Sequence, residues 1–586
     1  MPVISVPTDF IPANFDATDL DALRTAFQSL LDEPIESSDD LEAWLLKRSE
    51  LDAALSEAAA LLYIGMTCNT SDERASQAYA RFIETVPPAV KPLAFELDRK
   101  QAALHERFGM TTDRHEVIAR DTAADVALFR EENVPIETEL AKLSQEYDTI
   151  AGAMTVEFEG ETKTLPQMAV YQESTDRAVR ESSWHAVTER RLEDVDGIDT
   201  IYDSMIGKRH AIATNLGFDD YIGYAFKSKH RFDYTAADCA AFHNAVETIA
   251  VPFARKLDDR RRERLGLDTL MPWDMGVDEL GRGPLKPFAG GAELVAKARA
   301  AFAALDPRLE SLFAEMGDGT DRVTADNTAN PPSLDLDSRK GKAPGGYLYM
   351  LDRRRSPFIF MNAAGLHRDV ETMVHEAGHA FHSMLCAQEP LLHYREYPTE
   401  FAEVASMAME LMTMPHWGAP GSFYDGSPDD LARAQRKQLE GSIALLPWIA
   451  TIDAFQHWIY ANPTHTRGER TAAWLDLDNR FGRAFSWDGL DEARAKAWQR
   501  QGHLFGAPFY YIEYGIAQLG ALQLWIRSLD EGPATSIDAY INALTLGGSR
   551  PLPELFNAAG LTFDFGPETV GRLVERVEKE LAKLPE

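Results

Sequence analysis

The chain has 586 residues, 45% of them apolar, and a formal net charge of −34. That length exceeds what one compact core organises, so two or more lobes are expected, and the acidic balance disfavours nucleic acid and membrane surfaces as partners. Three cysteines, Cys68, Cys239 and Cys386, lie far apart without CxxC spacing, which argues against a disulfide framework and against a thiolate metal site and fits a reducing compartment.

The opening stretch "MPVISVPTDFIPANFDATDL" lacks a basic start followed by an apolar run, and nowhere do about eighteen uninterrupted apolar residues occur. A soluble, cytoplasmic protein is expected, its acidic surface compatible with a saline habitat or with plain solubility. Helix predominates from end to end: "DLEAWLLKRSELDAALSEAAALLYI" (40–64) and "ETVGRLVERVEKELAKL" (568–584) repeat apolar residues at three and four with charge between. A soft boundary near residue 200 separates an N-terminal helical lobe (1–200) from a second region (201–586) that holds the motifs described next. Residues 317–346, rich in Gly, Pro, Asp and Asn, read as loop. Directly after them "YLYML" and "PFIFMN", separated by "DRRRS", read as a small antiparallel hairpin whose Arg353, Arg354 and Arg355 form a solvated tip.

The segment "TMVHEAGHAFHSML" (372–385) follows. Successive helical residues turn by about 100°, so His375 and His379 share one face and reach one ion, with Glu376 beside it. Val370, Met373, Val374, Ala377, Phe381 and Met384 form the opposite, core-facing side. Gly378 costs about 1 kcal/mol of helix propensity relative to Ala, which predicts a close approach by another element at that turn. Taken alone, HExxH leaves a metal site and a helix with incidental histidines equally open. The position six residues beyond His379 is Leu385, so the three-histidine metzincin pattern is excluded. A glutamate from a second helix is the alternative third ligand, and "YPTEFAEVASMAMELMTMP" (397–415) supplies Glu403 among apolar neighbours, where an unpaired carboxylate is costly to bury. Ser406 and Glu410 are candidates to orient the ligands, and Glu400 is the weaker ligand candidate. His382 reads as a neighbour of the site, and Cys386 as a small buried hydrophobe.

These residues carry a likeness. "PFIFMNAAGLHRDVETMVHEAGHAFH" followed by "FAEVASMAMEL" resembles the zinc oligopeptidases of the thimet and oligoendopeptidase F type, and "DLDSRKGKAPGGY" with "HLFGAPFYYIEYGIAQLGAL" is similar to the oligoendopeptidase F branch, over roughly residues 200 to 580. The resemblance implies a mainly α fold of two helical lobes enclosing a deep substrate channel, with a small antiparallel β-sheet next to the zinc site. It also implies one Zn²⁺ per chain held by His375, His379 and Glu403, with Glu376 as catalytic base. His503 and the tyrosines of "FYYIEY" would face the scissile carbonyl. Tyr511 and Tyr514 share a helical face and are the favoured pair, with Tyr510 placed among the substrate-binding residues.

The expected chemistry is hydrolysis of short peptides: zinc with three protein ligands leaves a position for water, and Glu376 takes its proton and passes it to the leaving amine. The hairpin offers an edge strand for an extended peptide, with Gly345 and Gly346 allowing close backbone approach and Tyr347 beside them. Endopeptidase action is the preferred reading. A carboxypeptidase or dipeptidyl carboxypeptidase, which needs an Arg or Lys clamp, and a non-catalytic peptide-binding protein with a retained zinc site are the alternatives. The oligomeric state is left open.

Overall fold

The computed structural model describes residues 9–108, 114–343 and 345–585; the first eight residues of the opening stretch thus lie outside it. The chain is mainly helical. Near the N-terminus, α1 (Leu20–Asp32), α2 (Ser38–Cys68) and α3 (Glu73–Phe108) surround a core running from Ile11 to Ile118, joined by Leu391 and Tyr394 from far along the chain. A larger core takes its members from Tyr147 to Leu581. By length and composition α2 suffices to cross a membrane, but half of its most apolar window is buried inside the protein. Its last turns (Ala60, Ile64, Cys68) form a third cluster with Leu351, Phe358 and Phe360, welding the N-terminal helices to a sheet.

That sheet has three strands, β1 (Leu334–Asp337), β2 (Tyr347–Leu351) and β3 (Ser356–Ala363), in the order β1-β3-β2. The hairpin β2–β3 is antiparallel as expected, but β1 pairs in parallel with β3, so the sheet is mixed rather than antiparallel. The strand β1 arises inside the segment read as loop. It is only four residues long, and its Asp335 is fully buried because Arg339 and Lys342, from the same glycine-rich stretch, pair with its carboxylate at 2.5 and 2.7 Å. No local apolar pattern announces such a strand. The central β3 is apolar without alternation at Phe358, Ile359, Phe360 and Met361, as a strand covered on both faces must be.

The arginine tip is solvated at Arg354 but buried at Arg355, and all three side chains are hydrogen-bonded. Glu57 on α2 accepts from the backbone N–H of Arg353 and of Arg354 at 2.8 and 2.9 Å, and pairs with the Arg354 guanidinium at 2.8 Å. Arg353 donates to the Ile11 carbonyl, and buried Arg355, in the left-handed region at φ 56°, donates to that of Ala387. In so acidic a chain, three adjacent guanidinium groups find anionic and carbonyl partners even where solvent reaches them.

Downstream come α4 (Ala236–Ala245), α5 (His367–Leu385), α6 (Thr399–Thr413), α7 (Pro428–Ala461) and α8 (Tyr511–Glu531). Asp369 starts α5 by accepting from the N–H groups of Ala364 and Leu366 at 2.8 and 2.9 Å, satisfying donors that a helix start leaves unpaired. The helices α5 and α6 touch backbone to backbone at Gly378: a Cβ there would lie 2.5 Å from the Ala405 carbonyl oxygen and 2.6 Å from Ser406 Cα. The close approach expected from the sequence is this contact. Gly378→Ala is accordingly expected to lower stability by about 1–3 kcal/mol through overpacking, whereas Gly441→Ala on α7, where a Cβ meets nothing within 4 Å, is expected to be neutral or mildly stabilising. Thermal unfolding of both variants checks this; a Gly378→Ala midpoint at or above that of the parent would refute it.

Candidate metal centre

Because α5 and α6 meet at Gly378, their inward side chains converge. His375 Nε2 and His379 Nε2 lie 3.4 and 3.7 Å from the same oxygen, Oε2 of Glu403, and one donor atom from each of the three residues falls within 4.8 Å of the others. Two imidazole nitrogens and a carboxylate oxygen at that spacing fit a zinc ion with an open position. Every other atom of the set is engaged. His375 Nδ1–H donates to Glu410 Oε1 at 2.7 Å, and Gln438 Nε2 donates to the other Glu410 oxygen at 2.9 Å. The His379 ring bonds to the backbone of Ala402. Ser406 Oγ donates to Glu403 Oε2 at 3.1 Å, and Tyr510 O–H donates to Glu403 Oε1 at 2.9 Å. Such partners fix tautomer and orientation so that both Nε2 atoms face the shared point.

The electrostatics follow from this crowding. Against the desolvation that would lower it, Glu410, with help from Glu403 and Glu376, lifts His375 to about 9. Burial raises Glu376 to about 7, opposed by His375 and reinforced by Glu403 and Glu410. His379 moves the other way, held neutral by burial and by the charge on His375.

Other sequence candidates fall into place around this centre. His382 is fully buried and stacked on Tyr397 with ring centroids 3.4 Å apart. Cys386 is buried against the carbonyls of Ser383 and Arg395. Glu400 is turned away, accepting from Tyr234 O–H at 2.6 Å with Arg231 3.6 Å off. On the sheet, Gly345 takes φ 101° with open space around it. Gly346 lies beside α5, where a Cβ would stand 3.7 Å from Thr372. Tyr347 is committed elsewhere, its hydroxyl hydrogen-bonded to Thr67 at 2.6 Å and its ring stacked on Phe360. Among the described residues β2 has no partner on its outer edge.

Of the three tyrosines, it is Tyr510 that reaches Glu403; the Tyr511 hydroxyl donates instead to Gln501 Oε1 at 2.9 Å. The difference lies in the preceding residue. Phe509 sits at φ 61°, a left-handed conformation costing an ordinary side chain about 1–2 kcal/mol. It is held by Gln456, which accepts from its N–H, and by Arg231, which donates to its carbonyl. This kink turns Tyr510 inward just ahead of α8. Tyr514 packs behind, its ring 5.1 Å from that of Tyr510 and 6.0 Å from that of His503.

Gln501, which sequence reasoning missed, orients His503. Its Oε1 accepts from Tyr511 O–H and from Trp448 Nε1–H at 3.1 Å, so its Nε2 is the donor to His503 Nδ1 at 2.7 Å. His503 therefore carries its proton on Nε2, and burial lowers its pKa, keeping it neutral. Gln438 was missed as well. A glutamine contributes no charge and no spacing, so neither residue leaves a signal in one sequence.

The chain matches the family described as Peptidase family M3 over residues 170–566, and the Peptidase M3 N-terminal domain over residues 10–127. It is similar to oligopeptidase PepF of Bacillus subtilis (strain 168), 26% identical over 270 residues; the match takes in 43% of this chain and 37% of that protein's length. Among solved structures it is similar to one named for oligoendopeptidase F, at 29% identity and TM-score 0.87 over 98% of both chains. It is similar also to PZ peptidase A with an inhibitor, at 28% identity and TM-score 0.86 over 98% of this chain and 99% of the other.

A pH dependence follows. Below about 9 the metal-free His375 holds a proton that an incoming ion must displace. Zinc affinity, measured by competition with a chelator, is expected to rise about tenfold per pH unit from pH 7 and to level off near 9. In Glu410→Gln, which removes the charge that raises His375, the levelling is expected at lower pH, with affinity reduced about 10–100-fold. An unchanged pH profile in that variant would reject the assignment.

Proposed function

The chain belongs to peptidase family M3, whose members are metallopeptidases, and stands with its oligoendopeptidase F branch; from this we propose that it is a zinc endopeptidase cutting internal bonds of short peptides. The observation that carries the reading is Glu376, a buried carboxyl raised to about 7 beside His375, His379 and Glu403. A site that only bound peptide has no use for such a group. Bound by those three residues, zinc supplies a Lewis acid that polarises the scissile carbonyl and acidifies water.

The remaining work belongs to the protein. Glu376, poised near neutrality, takes the proton of the attacking water and returns it to the leaving amine. Tyr510, kept protonated by burial and by Glu403, turns its O–H from Glu403 Oε1 to the developing oxyanion, where His503 joins it through its Nε2–H. Tyr514 supports them, and Tyr511 acts through Gln501 on His503. The free edge of β2, entered through Gly345 and Gly346, pairs with the extended substrate backbone in a channel between the lobes. Tyr347 shapes that wall with its ring, since its hydroxyl is bound to Thr67.

One observation favours internal cleavage over release of C-terminal residues. Arg353, Arg354 and Arg355, the cations beside the hairpin, are occupied by Glu57 and by backbone carbonyls, so none of them is available as a carboxylate clamp.

Glu376→Gln is expected to retain one zinc at the site while turnover falls about 10²–10⁴-fold; undiminished turnover would sink the mechanism. Peptides capped at both ends are expected to be cut, and cleavage confined to free C-termini would replace the endopeptidase reading with the carboxypeptidase one. Tyr510→Phe is expected to lower kcat with little change in KM and to do so more than Tyr511→Phe. The reverse order would return the oxyanion role to the helical pair.

A further inference from the structure

A second cluster of ligand-type side chains lies between α4 and α7. Cys239 and His243 are one helical turn apart on α4, Asp453 and His457 one turn apart on α7, so each pair shares a face, and the two faces meet. One donor atom each from Cys239, Asp453 and His457 falls within 4.8 Å of the others. Cys239 and Asp453 are fully buried. His243 Nε2 is 2.8 Å from Asp453 Oδ2 and orients that carboxylate. The other oxygen, Asp453 Oδ1, is buried with no hydrogen-bond partner, and so is His457 Nε2, which stands 3.4 Å from Oδ2 without bonding to it. An orphaned carboxylate oxygen facing an orphaned imidazole nitrogen and a thiol is costly in an apolar interior unless something positive joins them.

We propose that Cys239, Asp453 and His457 hold a second metal ion, of zinc type, with His243 positioning Asp453, and that this ion is structural. The surroundings are apolar on one side: the His457 ring packs on Phe226 and Phe509, with centroids 6.1 and 5.1 Å away. Burial keeps the Cys239 thiol protonated when no ion is present, so uptake releases that proton and leaves a thiolate ligand. The wide spacing of the cysteines counts against a site built from thiolates alone, but not against one thiolate joined by His and Asp from another helix. Through His457 the ion would brace Phe509, whose left-handed turn aims Tyr510.

Metal analysis of the full-length protein is expected to give two equivalents per chain: one remaining in Glu403→Ala, and one remaining in Cys239→Ser/His457→Gln. Cobalt loading separates the two sites, because only the second contains sulfur. Cobalt-loaded parent protein is expected to show a near-ultraviolet thiolate-to-cobalt band that persists in Glu403→Ala and disappears in Cys239→Ser. A parent protein that saturates at one equivalent without that band overturns the proposal, whatever the folding of the variants, and leaves the cluster as a hydrogen-bonded His243–Asp453 pair with His457 beside it. A band that survives Cys239→Ser overturns it equally, by assigning the sulfur to another cysteine.

Discussion

Two helical backbones in contact at one glycine govern the rest of the candidate site. Any side chain at Gly378 would drive its Cβ into Ala405 and Ser406. Without that contact, Glu403 on α6 would not come within 3.7 Å of both His375 and His379 on α5. Helices normally lie 8–10 Å apart, as their side chains require; a glycine lets the axes close up, and the glutamate then reaches across. The propensity sacrificed at Gly378 is offset by the convergence it permits.

Around that contact, acidic groups outnumber cations, and two of the three glutamates have defined partners. Glu403 is shared between the two histidines on one oxygen and Tyr510 on the other, while Glu410 is split between His375 and Gln438. Glu376 alone among the three glutamates has no hydrogen-bond partner of this kind, and burial raises its pKa towards neutrality. Hydrogen bonding thus distinguishes Glu403 and Glu410, which are held, from Glu376, which is left unbonded.

Much of this was legible in the sequence because it is periodic. HExxH, the core face of α5, the need for space at Gly378 and the choice of Glu403 all follow from helical spacing within two short segments. The features that escaped are set by backbone geometry or by distant partners. Tyr510 and Tyr511 are neighbours with equal chemistry, and only the left-handed Phe509, fixed by Arg231 and Gln456, decides which of them turns to Glu403. The strand β1 depends on a buried Asp–Arg–Lys cluster inside a stretch rich in turn residues. The partners of the arginine tip escaped because Glu57 lies almost three hundred positions earlier. The Cys239–Asp453 juxtaposition spans more than two hundred positions and has no local signature at all.

The bond between Glu57 and the tip also ties distant parts of the chain together. The edge strand β2 is clamped at its far end by a residue of α2, and Tyr347 at its near end is tied to Thr67 on the same helix. The α5 helix packs on α6 and also backs the sheet, with Gly346 beside its Thr372. The first helices of the chain, the strand proposed to receive substrate and the helix that carries His375 and His379 are thus parts of one continuous framework.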